Sequence, residues 1–555
     1  MATTQQYAPP PGLPPGMMGS HSDDDDEGIR DPAIAQVVSD IKDYQITHGN
    51  LLKIVRFEEP TRVPSTGVNI SCKPTPFPRD MYDHAMALQQ SMNELYIHAL
   101  SDTNWLYSVL APQIESEPEG VMVKLWGVYL KCLEAGPVQE MTCGIFRSDY
   151  MLQEEALRGE GVDGEAKVSL KQVEMNTFSC AGICHSQHAA RMHRYFQERK
   201  SAEEAQDTGP SNTLPANSNI SSIVSCLAMV HQSYLEQLRV GPTAATGARD
   251  EPIQHSTCVL VVVQPFNFNI ADERPIDYGL WEDHKIPCYR CEWQEVLLRT
   301  RLGPHRELRY RPSSTAKAFE VSVVYYRAGY DLREYMDDAG VETRFTLETS
   351  RAIKCPDVLG HLIGFKSVQR ALTEAGVAER FLLSEQARDH AGALRSTSMP
   401  MYALDDSVEG MRARAIAVDP ARAKDFVLKP NLEGGGNNVF GEDIPEFLAS
   451  IPDDEWRKFI LMRLITPPAR TTGVLITSED VYEGPVVSEL GVLGFAMWRC
   501  HGAGRGKGKA KEGISVETNI VHNEMVGWTF KSKPREVNEM SVVKGYGSFD
   551  CPMLV

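Results

Sequence analysis

The residue types that handle phosphate are most concentrated in residues 426–444, FVLKPNLEGGGNNVFGEDI. A short apolar stretch ends in Lys429 and Pro430 and leads through Glu433 into Gly434, Gly435 and Gly436, then Asn437 and Asn438. Three glycines in a row let backbone N–H groups turn toward a ligand with no Cβ in the way, which makes a nest for phosphate oxygens. Lys429 can act as a point charge on those oxygens, and Glu433 can hold an accompanying Mg²⁺. A flexible loop would explain the glycines but not the flanking lysine, glutamate and paired asparagines. No GK[ST] follows, so this is not a P-loop.

A second group lies in residues 172–182, QVEMNTFSCAG. In an extended strand Glu174 and Asn176 are two apart and share a face, where carboxylate and amide oxygens suit Mg²⁺. Taken alone, an ordinary half-exposed strand explains this pattern as well. In GIFRSDYM, residues 144–151, Arg147 could clamp a carboxylate through two parallel N–H donors, although a lone arginine more often serves a salt bridge. The other candidates are weaker. Cys288 and Cys291 form a single CxxC with no second pair, and Cys180, Cys184, His185, His188 and His193 crowd one segment. A structural zinc site needs four converging ligands, so zinc is not expected. GAGRGKG at 502–508 has the wrong spacing for a dinucleotide fingerprint and reads as a basic loop.

These residues need a scaffold of helices and strands. Apolar spacings of three and four predict helices over 81–111 and 220–239. Short β-branched or aromatic runs bounded by turn residues predict strands at 258–263, 320–326, 426–429 and 459–464. The intermixing points to an α/β or mixed α+β fold with more than one subdomain. Residues 1–38, rich in Pro and Gly and carrying an acidic run at 23–27, read as a disordered tail, and residues 200–219 as a surface insertion. With 555 residues the chain can build several packed layers. A net charge of −19 disfavours nucleic-acid binding. No apolar run spans a bilayer and the N-terminus lacks a signal-peptide pattern, so no membrane partner is expected. Twelve scattered cysteines in a long chain fit a reducing cytoplasm.

Seven blocks in fixed order resemble the eukaryotic glutathione synthetase family of ATP-grasp ligases: FRSDYM, VEMNTFS, VVYYRAGY, AIKCPDVLGHLIGFKSVQ, VLKPNLEGGGNNVFGED, ILMRLI and SELGVLG, across roughly residues 40–555. The resemblance implies an ATP-grasp fold with a substrate-binding subdomain at 250–370 and an ATP-grasp and lid region at 426–555. It also implies a cytoplasmic homodimer that uses ATP and two Mg²⁺ ions to join γ-glutamylcysteine to glycine through an acyl phosphate. Carried over motif by motif, Glu174, Asn176 and Glu433 would bind metal. Lys366, Lys429, Asn431, Gly434, Gly435, Gly436, Asn437 and Asn438 would hold ATP. Phe440 stands where a tyrosine is usual, Met462, Arg463, Leu464 and Ile465 line the adenine, and Glu489, Lys533 and Glu539 complete the nucleotide site. Arg147, Phe178, Ser179, Cys180, Ala181, Asn267, Asn269, Glu273, Arg327 and Tyr330 match positions that hold the peptide. Arg147, Lys366, Lys429, Glu433 and Lys531 are the groups expected to act on the reacting atoms.

Departures fall on the peptide and acceptor side. The family's Glu-x-Asn pattern reads Asn267-Phe268-Asn269, and Glu273 replaces a glutamine. Lys531 replaces an arginine, and a lid normally small and glycine-rich contains Val542 and Val543. Two other readings therefore stay open: a paralogous ligase with another amine acceptor, and a catalytically silent nucleotide-binding relative. Retention of Glu174 and Glu433 favours an enzyme.

Overall fold

The computed structural model of the protein describes residues 32–54, 63–154, 167–203, 213–240, 257–431, 438–477, 480–501, 517–542 and 545–555. The first helix, α1 (Pro32–Thr47), starts inside the segment expected to be a tail through residue 38. Val38 and Ile41, three apart on one face, are buried in a cluster with Val68, Ile70, Met192 and Phe549. Averaged composition hid this stripe. The stretch expected as one helix over 81–111 divides into α2 (Arg79–Ser101) and α3 (Thr103–Ser116). Asp102 breaks it by adopting a non-helical ψ of 75° and accepting the Trp105 N–H at 3.0 Å as an N-cap.

Helix α4 (Ile183–Glu203) runs into the polar stretch expected as an insertion, and α5 (Asn219–Val240) leaves it. Residues 213–219 are built into the fold: Leu214 is buried, and Asn219 donates to the Ile183 and Trp528 carbonyls at 2.9 and 2.8 Å. A polar side chain that satisfies buried backbone is indistinguishable by composition from one in a loop. α6 (Arg274–His284) and α7 (Lys366–Leu372) contribute ends to the site. No helix among the described residues is long and apolar enough to cross a membrane.

The strands that matter form two sheets. In the larger one β1 (Met141–Glu154) pairs antiparallel with β2 (Val168–Asn176). β3 (Thr257–Val263) lies between β4 (Cys288–Glu292) and β5 (Phe319–Arg327), parallel to both, and β5 is parallel to β6 (Ile353–Cys355), which reaches β1. The fully buried VLVVV run in β3 is what a strand covered on both faces requires. The smaller sheet has the order β7 (Met401–Ala403), β10 (Phe459–Arg463), β8 (Phe426–Pro430) and β9 (Val439–Phe440), all antiparallel. Two long strands, β11 (Val481–His501) and β12 (Glu517–Pro534), extend the large sheet beyond β1.

The far edge of the large sheet is closed by pieces distant in sequence. Ser548–Phe549 pairs with β12 and with Ile70–Ser71, and beside them Pro552–Leu554 pairs parallel with Thr75–Phe77 as a separate two-stranded sheet. Asp550, fully buried, accepts the hydroxyls of Ser71, Thr75 and Ser532 at 2.5, 2.6 and 2.6 Å.

Candidate active site

Strand register builds the site. Thr529 on β12 faces Gly491 on β11, Gly491 faces Asp149 on β1, and Asp149 faces Glu174 on β2. One row over, Arg147 faces Asn176; in the other direction, Lys531 faces Glu489. Because side chains alternate with a period of two, Arg147, Asp149, Glu174, Asn176, Glu489 and Lys531 share one face of the sheet. Phe146, Ser148 and Tyr150, the alternate residues of β1, are fully buried on the other.

The residues expected near phosphate and metal come together here. Lys366, at the start of α7, lies 3.9 Å from Glu174, and Lys429 reaches across from β8 to the Val173 carbonyl at 3.0 Å. Asn176 donates to Asp149 at 2.9 Å and to Glu174 at 3.3 Å, so its amide N–H groups are engaged within the cluster. Burial would push the Glu174 carboxyl up, but Lys366, Lys429 and Arg147 outweigh it and hold the value at about 2. An always-ionised carboxylate beside an amide oxygen is a hard-oxygen donor set that fits Mg²⁺. Burial lowers the Lys429 ammonium below its ordinary value, with Glu174 opposing. It brings Lys533 down to about 8 against the pull of Glu489 and Glu539. Lys531 pairs with Glu489 at 2.5 Å, and burial still pushes the Glu489 carboxyl up.

The small sheet carries the residues expected around the nucleotide. Met399, Met401, Val427, Ile460 and Met462 form a buried apolar cluster, with Phe440, Leu464 and Ile465 packed on it. Arg463 points to solvent, and the N–H groups of Arg463 and Leu464 are used inside the fold, by Pro400 and Asp425. Asn431 fixes the start of α7 by accepting the Ser367 N–H at 3.1 Å and donating to Gln113 and Ser367. Asn438 donates its N–H to Glu539 at 3.3 Å, joining β9 to the segment after β12. Glu433, Gly434, Gly435, Gly436, Asn437 and Val543 lie outside the described residues.

Among the residues expected to hold the peptide, two arginines grip neighbouring carbonyls of one turn. Arg147 donates to the Ala181 carbonyl at 2.7 Å, and Arg327 to that of Cys180. Ser179 sits there with φ of 51° and Gly182 with φ of 87°. Arg327 Nε donates to Glu273 at 3.1 Å; Glu273 also takes Arg290 and, at 2.6 Å, Asn267. Arg327 and Arg290 hold the Glu273 carboxyl below its ordinary value although burial acts the other way. Asn269 bonds the His185 ring at 3.0 Å, and its own N–H donates to Asn267. Tyr330 is half-buried beside Gly329, whose φ is 95°.

Four expectations need correction. Arg147 is no open clamp: its Nε and Nη2 lie on Asp149 at 2.6 and 2.7 Å, so a substrate would meet only its remaining N–H groups. The Phe178 side chain stacks on His361 at 3.8 Å, and the Cys180 thiol donates to the Ile145 carbonyl, so both point into the protein. Val542 is not lid bulk, because it is buried in the cluster around Ile70 and Phe549. The Lys531 ammonium is engaged by Glu489 and not held open. Asp149, Asp272, Arg290 and Gly491 were missed. Asp149 carried a signal, its i, i+2 spacing from Arg147 on a strand. Asp272 accepts the Gly182 and Cys184 N–H groups at 2.8 and 2.9 Å and so caps α4, a contact across 90 residues that no local pattern reveals. Among the described residues no group of His, Cys, Asp and Glu could hold a metal by itself. His185 and His193 bond Asn50 at 2.6 Å and Ser71 at 3.0 Å, respectively.

Residues 31–554 match the family described as eukaryotic glutathione synthase, ATP binding domain. The glutathione synthetase large chain of Schizosaccharomyces pombe is 30% identical over 91% of this chain and 95% of its own. The glutathione synthetase of Homo sapiens is 28% identical over 86% of this chain and 88% of its own. In fold, the chain is similar to a glutathione synthetase-like effector from Globodera pallida solved in its apo form. The TM-score is 0.63 at 20% identity, covering 95% of this chain and 98% of that one.

Proposed function

Since the chain belongs to the eukaryotic glutathione synthetase family, we propose that it is an ATP-dependent carboxylate–amine ligase joining γ-glutamylcysteine to glycine. The observation that carries this reading is the convergence of Lys366 and Lys429, from two different layers, on the ionised Glu174. A carboxylate is a poor electrophile at neutral pH, so the peptide's cysteinyl carboxylate first takes the γ-phosphoryl group of ATP. The amine then attacks the acyl carbon, phosphate leaves with the C–O bonding pair, and the amine loses a proton. Lys366 and Lys429 stabilise charge on the phosphoryl oxygens, and the apolar cluster under Phe440 seats the adenine. Glu174, Asn176 and Glu433 would hold Mg²⁺, which supplies charge neutralisation between the phosphates. The Ser179–Gly182 turn, tied down by Arg147 and Arg327, orients the peptide and helps keep water from the acyl phosphate.

The test is ADP release by purified protein with γ-glutamylcysteine and glycine; a rate no higher than the no-peptide blank overturns the reading. One observation favours a second reading, a related ligase with another amine acceptor. Lys531, a point charge where the family has a two-donor fork, is already neutralised by Glu489. ADP release with other amines but not with glycine selects that reading.

Lys533 sets a pH dependence. Its ammonium is complete below its value of about 8 and lost above it, since the folded value lies below the ordinary one. kcat/KM for ATP is expected to fall as pH rises through about 8, because that parameter reports the free enzyme. Lys533→Arg should move this limb above pH 9 while leaving the acid side unchanged, as a pH–rate profile of both proteins will read.

A further inference from the structure

Two backbone N–H groups, one on each side of Tyr330, end on the same buried oxygen. Gly329 N donates to Glu334 Oε2 at 2.9 Å, and Asp331 N donates to it at 2.8 Å. Glu334 is 6% exposed, and its Oε1 is buried with no hydrogen bond among the described residues. The bond from Asp331 closes a capping box over the short turn Leu332–Tyr335, in which the Asp331 side chain takes the Arg333 N–H at 2.9 Å. Such a box needs nothing more. The bond from Gly329 is additional, and it fastens the residue that precedes Tyr330. Gly329 is pinned from two further directions. Its carbonyl accepts the Tyr335 hydroxyl at 2.7 Å, and a Cβ there would stand 2.6 Å from the Trp293 ring. The Trp293 N–H in turn donates to the Glu334 carbonyl at 3.0 Å. Between these fixed neighbours Tyr330 is half-buried, with its phenol in the field of Arg327 and Glu273, next to the turn that Arg327 grips at Cys180.

An ionised carboxylate accepts an N–H more strongly than a neutral carboxyl does, so the hold on this loop follows the charge of Glu334. Burial pushes that carboxyl up to about 7, against the pull of the Asp331 and Gly329 N–H groups. Its charge is complete above that value and lost as pH falls through it. The charged neighbours are paired with one another: Asp331 with Arg333, Arg344 with Glu348 behind Tyr335, Arg327 with Glu273, and Glu295 with Arg299 beside Trp293. On the helix Val121–Ala135, packed against the turn, Lys124 pairs with Glu119, and Lys131 lines a surface groove with Asp338 and Glu342. Burial pushes the Tyr330 and Tyr335 phenols up, so both stay neutral.

We propose that Glu334 is a positioning residue for the ligase reaction: by holding the N–H groups on both sides of Tyr330, it sets where that side chain meets the peptide donor. This rests on the ligase reading above.

Hydrogen exchange and calorimetry of the whole protein, at pH 6 and at pH 8, test it. Protection of the Gly329 and Asp331 amides should be about 5- to 10-fold lower at the acid pH. γ-Glutamylcysteine, titrated without nucleotide, should bind more weakly there by a similar factor, the difference between hydrogen bonds to a charged and to a neutral group. Glu334→Gln keeps an oxygen that can accept both N–H groups and removes the charge. Its protection and affinity should be the same at both pH values and match the unaltered protein at pH 6. Protection that does not change with pH in the unaltered protein overturns the proposal, and so does protection that changes while affinity does not. A Glu334→Gln variant that keeps the pH response overturns it as well. Should that variant fail to fold, the two measurements on the unaltered protein decide. Both responses as expected with no ADP release overturn the ligase reading and not this one; peptide bound at neither pH overturns both.

Discussion

In a Glu174→Gln variant, ligase turnover falls by about 10²- to 10³-fold, the loss seen when one preorganised group is removed from a charge-stabilising site. The melting temperature moves by only a few degrees. Glu174 is half-buried at the end of a strand, and glutamine keeps its shape and its bond to Asn176. What disappears is the negative charge opposing Lys366 and Lys429, and with it the carboxylate that the proposed reading assigns to Mg²⁺. The loss should fall on kcat more than on KM for the peptide, since the charge acts where the phosphoryl group is transferred. Single-turnover acyl-phosphate formation measures it; an unchanged kcat removes Glu174 from the mechanism. The sign of the pH effect also follows. Glu174 is depressed to about 2, so its charge is complete above the ordinary carboxylate range and lost only as pH falls toward that value. No acid limb of the rate between pH 5 and 7 belongs to it, and unaltered enzyme and variant should run parallel there.

Gly491→Ala should be as damaging although the residue bears no functional group. A Cβ at Gly491 would stand 2.4 Å from Thr529 Oγ1, 2.6 Å from Asp149 Oδ1 and 2.9 Å from Arg147 Cδ. Thr529 and Asp149 are each 1% exposed, so neither can swing away. The methyl group must push Asp149 off Arg147 and Asn176, and the Arg147 grip on the Ala181 carbonyl loosens with it. We expect turnover to fall about a hundredfold, a displacement of about 1 Å being enough for such a loss. Stability should fall by about 1–3 kcal/mol from overpacking. Steady-state rates and thermal unfolding of the same preparation check both; a variant with normal rates would show that the row from Thr529 to Glu174 has slack.

Sequence reading picked out residues that the fold brings together where chemistry and periodicity coincide. Glu174 and Asn176 share a face because a strand must alternate, and Lys429 ends a strand whose apolar run announces it. The VLVVV strand and the helix over 219–240 were legible for the same reason. What escaped depends on register. Nothing local to Gly491 says that it will lie beside Asp149, some 340 positions away, until β11 is laid on β1. The early start of α1 and the burial of Val542 escaped too, because a few apolar residues in polar company gain meaning only from their partner cluster. The contact between Asn267 and Glu273 lay within six residues yet looked like two unrelated changes, since the intervening turn decides whether they meet.

The buried Asp550 has a consequence for how the protein is made. Lys531 and Lys533 flank Ser532, whose hydroxyl Asp550 accepts, and Asp550 is also held by Ser71 and Thr75, 479 and 475 positions earlier. At about 5–20 residues per second, residues 70–77 are translated roughly half a minute to a minute and a half before their strand partners leave the ribosome. Through that interval Thr75–Phe77 waits for its partner and Ile70–Ser71 can pair only with Leu475–Ile476, leaving the kind of edge that invites a wrong partner. A chain released before Asp550 would carry Glu174, Lys366, Lys429 and the β11–β12 pair, but not the carboxylate that ties Ser532 to Ser71 and Thr75. The clasp between Ser532, Ser71 and Thr75 thus closes only once Asp550 is in place, whatever has folded before it.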